Sequence, residues 1–223
     1  YRHHPYLHSF PTRRSSDLYH CLANADMEGK IFTIQNAIKL ESEISKCKKN
    51  FLLDEDNFSA RVEFTGRGEP LLNPFLVEIF DHIFSQKEVF GVLDTSGVNP
   101  SAINEIEAFK KILSKDYASR LEFFLSFSLF EERCLDRLAQ TIFLLVEGGM
   151  ERATIRVCHS ARNKDQTRNV LSGLFGVFAK KMKVEFSDQI CIEGLKIDFV
   201  SNSLIKKGRA TCSARIVFQT KII

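Results

Sequence analysis

"EFTGRGEPLLNP", Glu63 to Pro74, is the stretch from which the organisation of this 223-residue chain is read. It opens inside "ARVEFTG" (Ala60 to Gly66), a short apolar run broken by a glycine, as expected of a strand. It closes on Asn73, placed to cap a helix with Pro74 at the first position. Leu76, Ile79, Phe80, Ile83 and Phe84 then follow at i, i+3, i+4, i+7 and i+8, the spacing of a buried helical face. Between strand and helix stand two glycines around Arg67, then Glu69 and Pro70. Glycine allows close backbone approach to a ligand, and proline sets the direction in which the chain leaves. A phosphate cradle fits poorly, because the acid would repel the anion and no Gly-Lys-Ser/Thr follows.

The same cycle repeats outward from this turn. Upstream, Ile31, Ile34 and Ile38 and a basic end predict a helix over Ile31 to Lys48. Downstream, the strand "VFGVLDTSG" (Val89 to Gly97) precedes a helix from Pro100 to Leu113 carrying Ile103, Ile106, Phe109 and Leu113. The strand "LEFFLSFSL" (Leu121 to Leu129) precedes a helix from Glu131 to Glu147 that Gly148 and Gly149 stop. "ATIRVCHS" (Ala153 to Ser160) leads through "ARNKD" to a helix with Val170, Leu171, Leu174, Phe175 and Phe178. After Met182 the runs "VEF", "ICIEGLKIDF" and "ARIVFQTKII" are strand-like, as a hairpin or the start of an incomplete second module. Alternating strands and helices predict a parallel α/β fold, either a doubly wound sheet or part of a barrel. Both architectures put chemistry at the carboxyl ends of the strands, which directs attention to "TGRGEPLLNP", "DTSGVNP", "SFSLFEE" and "CHSARNKD".

The amino-terminal segment reads differently. "HSFPTRRSSDL" (His8 to Leu18) has no apolar period, and "SFPTRRSSDL" resembles a translated sequencing-library adapter, so Tyr1 to Leu18 is expected to be foreign to the fold. It has no apolar core of a secretory signal. Residues 19–187 are then expected to form the α/β region, and 188–223 a strand-rich extension. Without the first 18 residues, Lys and Arg fall from 31 to 28, Asp and Glu from 28 to 27, and the net charge from +3 to +1. The basic balance therefore belongs mostly to the arm, and nothing remaining selects nucleic acid or a membrane surface as a partner. No apolar run of about 18 residues occurs to span a bilayer. Six scattered cysteines without CxxC pairs argue for a reducing, cytoplasmic compartment. Cys47, Cys134, Cys158 and Cys191 lie in apolar-periodic contexts and are expected to be buried thiols.

"EFTGRGEPLLNP" closely resembles the GGEP segment after the second strand of radical SAM enzymes, in its GxGEP-L-x-N-P form. The resemblance spans about Tyr19 to Met182 and implies an incomplete (β/α)6 partial TIM barrel lacking its first strand. It implies that the backbone of Thr65, Gly66, Arg67 and Gly68 binds the methionine amino group of S-adenosyl-L-methionine, with Glu69 supporting the loop. "TSG" (Thr95 to Gly97) stands where the family has a "TNG" turn. Ser126 and Ser128 end the strand whose polar side chains often face the cofactor, although as bare residues they are equally ordinary alternating strand positions. Arg156 and "ARNKD" resemble the family's "R…ND" loop.

The family's defining feature is a CxxxCxxC loop whose three thiolates hold a [4Fe-4S] cluster, leaving one iron open for S-adenosyl-L-methionine. Cys21 in "YHCLAN" matches the third of these cysteines, while Arg14 and Leu18 stand where the first two belong. The resemblance thus implies a parent that cleaves S-adenosyl-L-methionine reductively to a 5'-deoxyadenosyl radical. That radical would abstract hydrogen from a substrate, a peptide or protein among the candidates, with flavodoxin or ferredoxin as electron donor. "GRA" before Cys212 resembles the entry to an auxiliary-cluster domain, but one cysteine is no cluster site. The competing reading is a non-catalytic α/β binding domain in which "GRGEP" merely turns the chain into a capped helix.

Overall fold

The computed structural model describes residues 32–50, 58–64, 69–128, 134–159, 164–186, 189–203 and 216–220. Strands and helices alternate through most of this span, giving an α/β fold with mostly parallel strand pairing in two compact units. Within each unit the strand ladder is open, so barrel closure is not observed.

The first unit contains α1 (Ile34–Asn50), β1 (Phe58–Phe64), α2 (Leu76–Ile83), most of β2 (Val89–Thr95), and β8 (Ile216–Thr220). β1 and β2 run parallel, in register from Ala60↔Val89 to Phe64↔Leu93. On the other edge of β1, β8 pairs antiparallel, from Phe58↔Thr220 to Val62↔Ile216. Ala60, Val62 and Phe64 are buried while Arg61 and Glu63 are half-buried, the period of two of a strand with one covered face. The five-residue stripe read from α2 is buried as expected, with Ile79, Phe80 and Ile83 fully enclosed. Phe80 packs its ring 4.4 Å from Phe64 and edge-on to Phe84 at 5.4 Å.

Three local expectations are corrected. The helix begins at Leu76 rather than Pro74, because Asn73 closes a tight turn: its Oδ1 accepts from Phe75 N at 2.9 Å and its Nδ2 donates to Phe32 O at 2.9 Å. On α1 the buried positions are Ala37, Leu40 and Ile44, and Ile38 is exposed, so the covered face is rotated from the isoleucine stripe. Helix α1 starts after Thr33, whose N–H donates to Asn36 Oδ1 at 3.0 Å while Asn36 N–H points back at Thr33 Oγ1, a reciprocal amino-terminal cap. On α3 (Ile103–Leu113), Ile103 is exposed and Glu105 is buried in the face that Phe109, Ile112 and Leu113 share.

An ion pair ties α1 to the turn before β2: Lys48 Nζ donates to Glu88 at 2.6 Å. Burial alone would raise the Glu88 pKa, but the Lys48 hydrogen bond, the residue's own backbone bond and the nearby Arg120 guanidinium outweigh it and hold the carboxyl below its ordinary 4.5. The folded state thus has the lower pKa, so the stabilisation is complete above the unfolded value and is lost as pH falls through the folded one. Denaturant titrations between about pH 3 and 7 are expected to show the parent losing more stability toward acid than Glu88→Gln does. Parallel acid limbs would remove Glu88 from the account.

The second unit contains α3, most of β3 (Leu121–Ser128), α4 (Cys134–Glu147), β4 (Arg152–His159), α5 (Lys164–Ala179), β5 (Val184–Phe186), β6 (Ile190–Ile192) and β7 (Leu195–Ser203). β3 and β4 run parallel, from Phe124↔Thr154 to Ser128↔Cys158, and β7 continues the parallel ladder beside β4 from Arg152↔Lys196. The loosely patterned segment after Met182 resolves into a meander, β5 and β6 pairing antiparallel and β6 turning back into β7. Glu193 and Gly194 both take positive φ, 47° and 92°, in the two-residue connection that suits the twist of a hairpin. Cys134 is buried as expected; Cys191, on β6, is half-buried rather than enclosed, and the side chains of Cys47 and Cys158 lie outside the described residues. No helix among the described residues is long and apolar enough to cross a membrane.

Candidate functional site

The strand-to-helix turn after β1 is described from Glu69 onward, so Thr65, Gly66, Arg67 and Gly68 lie outside the described residues, as does Cys21. Glu69 itself is 6% exposed. Its Oε1 accepts from Leu71 N–H at 3.3 Å, capping the short 3-10 turn Pro70–Leu72, and Pro70 and Leu71 are buried behind it. The acid caps the turn that follows it; Pro70 contributes its fixed φ at a place where no donor is needed.

At the carboxyl ends of the strands of the second unit, the expected polar residues meet. On β3, Phe123, Leu125 and Phe127 are buried and alternate with half-buried Phe124 and Ser126; on β4, Ala153, Ile155 and Val157 alternate with Thr154 and Arg156. Parallel register places Ser126 opposite Arg156, so the two side chains share a face. Asp94, half-buried on β2, joins them: Ser126 Oγ donates to its Oδ1 at 3.0 Å, and Arg156 Nη1 donates to its Oδ2. The Arg156 guanidinium also lies 4.9 Å from the Phe124 ring centroid, a cation–π contact that fixes its plane. One carboxylate therefore orients a hydroxyl and a guanidinium on neighbouring strands. The side chain of Ser128 lies outside the described residues.

The "TSG" turn that follows Asp94 is held by side chains on every side. Thr95 Oγ1 accepts from Gly97 N–H at 3.0 Å. Thr141 Oγ1 accepts from Val98 N–H at 2.8 Å and donates to Arg137 O at 2.7 Å, pinning the turn to α4. Arg137 Nη1 donates to Gly97 O at 3.1 Å and to Ser96 Oγ at 3.3 Å. From α3, Glu105 Oε2 accepts from Asn99 N–H at 2.9 Å. Gly97 has φ +96°, and a Cβ there would stand 2.7 Å from Thr141 Oγ1 and 2.8 Å from the Arg137 carbonyl oxygen, so only glycine fits.

Asp94, Glu105, Arg137 and Thr141 were not singled out in the sequence, although signals for them existed. Asp94 is the one acid in an otherwise apolar strand and stands directly before the turn. Arg137 and Thr141 interrupt the apolar face of α4 formed by Cys134, Leu138 and Leu145. No group of three or more His, Cys, Asp or Glu that could hold a metal ion occurs among the described residues. In comparisons with known proteins the chain matches no protein-family model and no curated protein.

Proposed function

We propose that residues 19–187 belong to a radical SAM enzyme, an α/β region of the incomplete (β/α)6 barrel kind, and that residues 1–18 are foreign to it. The observation that carries this reading is the buried Glu69 carboxylate closing the turn after "TGRG", with Pro70 beginning a 3-10 turn directly behind it. A buried acid that caps the turn behind it is in keeping with the GxGEP reading of Glu69. Asp94, Ser126 and Arg156, gathered at strand carboxyl ends, add a polar constellation where such folds place their ligands.

The donor set of this chain does not fit a [4Fe-4S] cluster. Three thiolates are needed, and the positions seven and three residues before Cys21 hold Arg14 and Leu18. No other group of metal-ligating side chains among the described residues substitutes for them. Anaerobic reconstitution with iron and sulfide is therefore expected to leave the chain without a stable cluster and without S-adenosyl-L-methionine cleavage. About four irons per chain with accompanying cleavage would sink that expectation.

The deciding experiment is to sequence the source DNA upstream of the Tyr19 codon. Cysteine codons seven and three positions before Cys21, preceded by a strand-like segment, are the expected result. Finding "HSFPTRRSSDL" encoded there would overturn the proposal in favour of a non-catalytic α/β binding domain. The observation on the side of that second reading is that the Glu69 and Asp94 carboxylates both serve internal hydrogen bonds.

A further inference from the structure

We infer that Arg137 on α4 is the receptor for an oxyanion, a carboxylate or phosphate group of a small molecule, at the Ser96–Gly97 turn. The residue is 9% exposed, yet its described partners are the neutral Gly97 carbonyl and Ser96 hydroxyl, both bonded through Nη1. Arginine stays protonated in proteins, and a buried charge without a counter-charge is expensive. The acids nearest in the chain to this turn are engaged elsewhere. Glu105 accepts from the Asn99 amide, and Asp94 pairs with Arg156. The two arginines thus bracket one short segment with opposite outcomes: Arg156 is neutralised by Asp94, and Arg137 has no acidic partner among the described residues.

The guanidinium keeps an open edge. Its Nε and Nη2 donate no hydrogen bond among the described residues, and neither nitrogen is enclosed. Meanwhile the amides of the turn are already used, Gly97 N by Thr95, Val98 N by Thr141 and Asn99 N by Glu105. What the turn offers an incoming anion is therefore the guanidinium edge, whose two parallel N–H groups match two oxygens of a carboxylate or phosphate. The rigid turn holds that edge in place beforehand, which lowers the ordering cost of binding. This inference is independent of the radical SAM reading.

The test is thermal unfolding of the full chain in inorganic phosphate, in acetate and in chloride at matched ionic strength. Phosphate or acetate is expected to raise Tm over chloride logarithmically, by about 3 °C per tenfold concentration above its dissociation constant. The more effective of the two identifies which oxyanion the edge prefers. In Arg137→Gln, which keeps a donor for the Gly97 carbonyl but removes the charge, the rise is expected to vanish. A rise of equal size in that variant, or none in the parent with either anion, overturns the inference. Should the variant fail to fold, arginine Nε–H resonances of the unaltered chain decide: a saturable shift of the Arg137 signal with phosphate or acetate supports the site, and an unmoved signal refutes it.

Discussion

Replacing Gly97 with alanine is expected to destabilise the fold by about 3 kcal/mol or more, a fall in Tm of roughly 10 °C for a chain of this size. Two costs combine. The φ of +96° lies outside the ordinary range of a residue with a Cβ, and the added carbon would sit 2.8 Å from a backbone carbonyl of α4 and 2.7 Å from the Thr141 hydroxyl. Trimming Thr141 in the same chain should recover little, because the Arg137 carbonyl belongs to the helix backbone and cannot withdraw. Relief of strain by moving the turn would break the Thr95, Thr141 and Arg137 hydrogen bonds that define it. Urea unfolding of Gly97→Ala, of Thr141→Ala and of the two combined measures both effects. A loss under about 1 kcal/mol in the single variant would mean that the turn is not held as described.

Arg120→Ala is expected to cost about 3 kcal/mol, as large as many core truncations although the residue is only partly buried. Its guanidinium donates from Nη1 to Gln86 O at 2.6 Å and Val89 O at 2.9 Å, and from Nη2 to Phe84 O at 2.7 Å. These carbonyls lie where α2 ends and β2 begins, and helix-end carbonyls lack partners within the helix. The same group lies 5.7 Å from the Phe84 ring centroid, adding cation–π attraction. Lysine is a compact charge and cannot serve three carbonyls from one planar fork, so Arg120→Lys should recover less than half of the loss. The measurement is the urea midpoint at unchanged m-value; equal stability of parent and alanine variant would show that water replaces the guanidinium without penalty.

Much of the fold was legible in the sequence because burial leaves a period. The stripe on α2, the strands β1, β3 and β4, and the glycine stop after α4 were read correctly, since each depends on a residue and its near neighbours. Ile38 and Ile103 were misread for a related reason. Hydrophobic residues show that a helix has an apolar face, but the centre of that face is set by the partner against which it packs. Of "GRGEP", the turn into the helix was legible in the sequence, and Glu69 and Pro70 form part of it.

The strand–helix alternation and the location of candidate loops at strand carboxyl ends were properties of the sequence alone. The partnership at those ends was not: Asp94 meets Ser126 and Arg156 across 32 and 62 residues, and Arg137 meets Gly97 across 40. Such contacts depend on the register of parallel strands and on where a helix sits over a turn, and a shift of one residue would send every side chain of a strand to the opposite face. Local propensity fixes neither quantity. Only the packed structure decides that Asp94 is spent on one arginine while a second, three residues beyond the start of α4, has no counter-charge among the described residues.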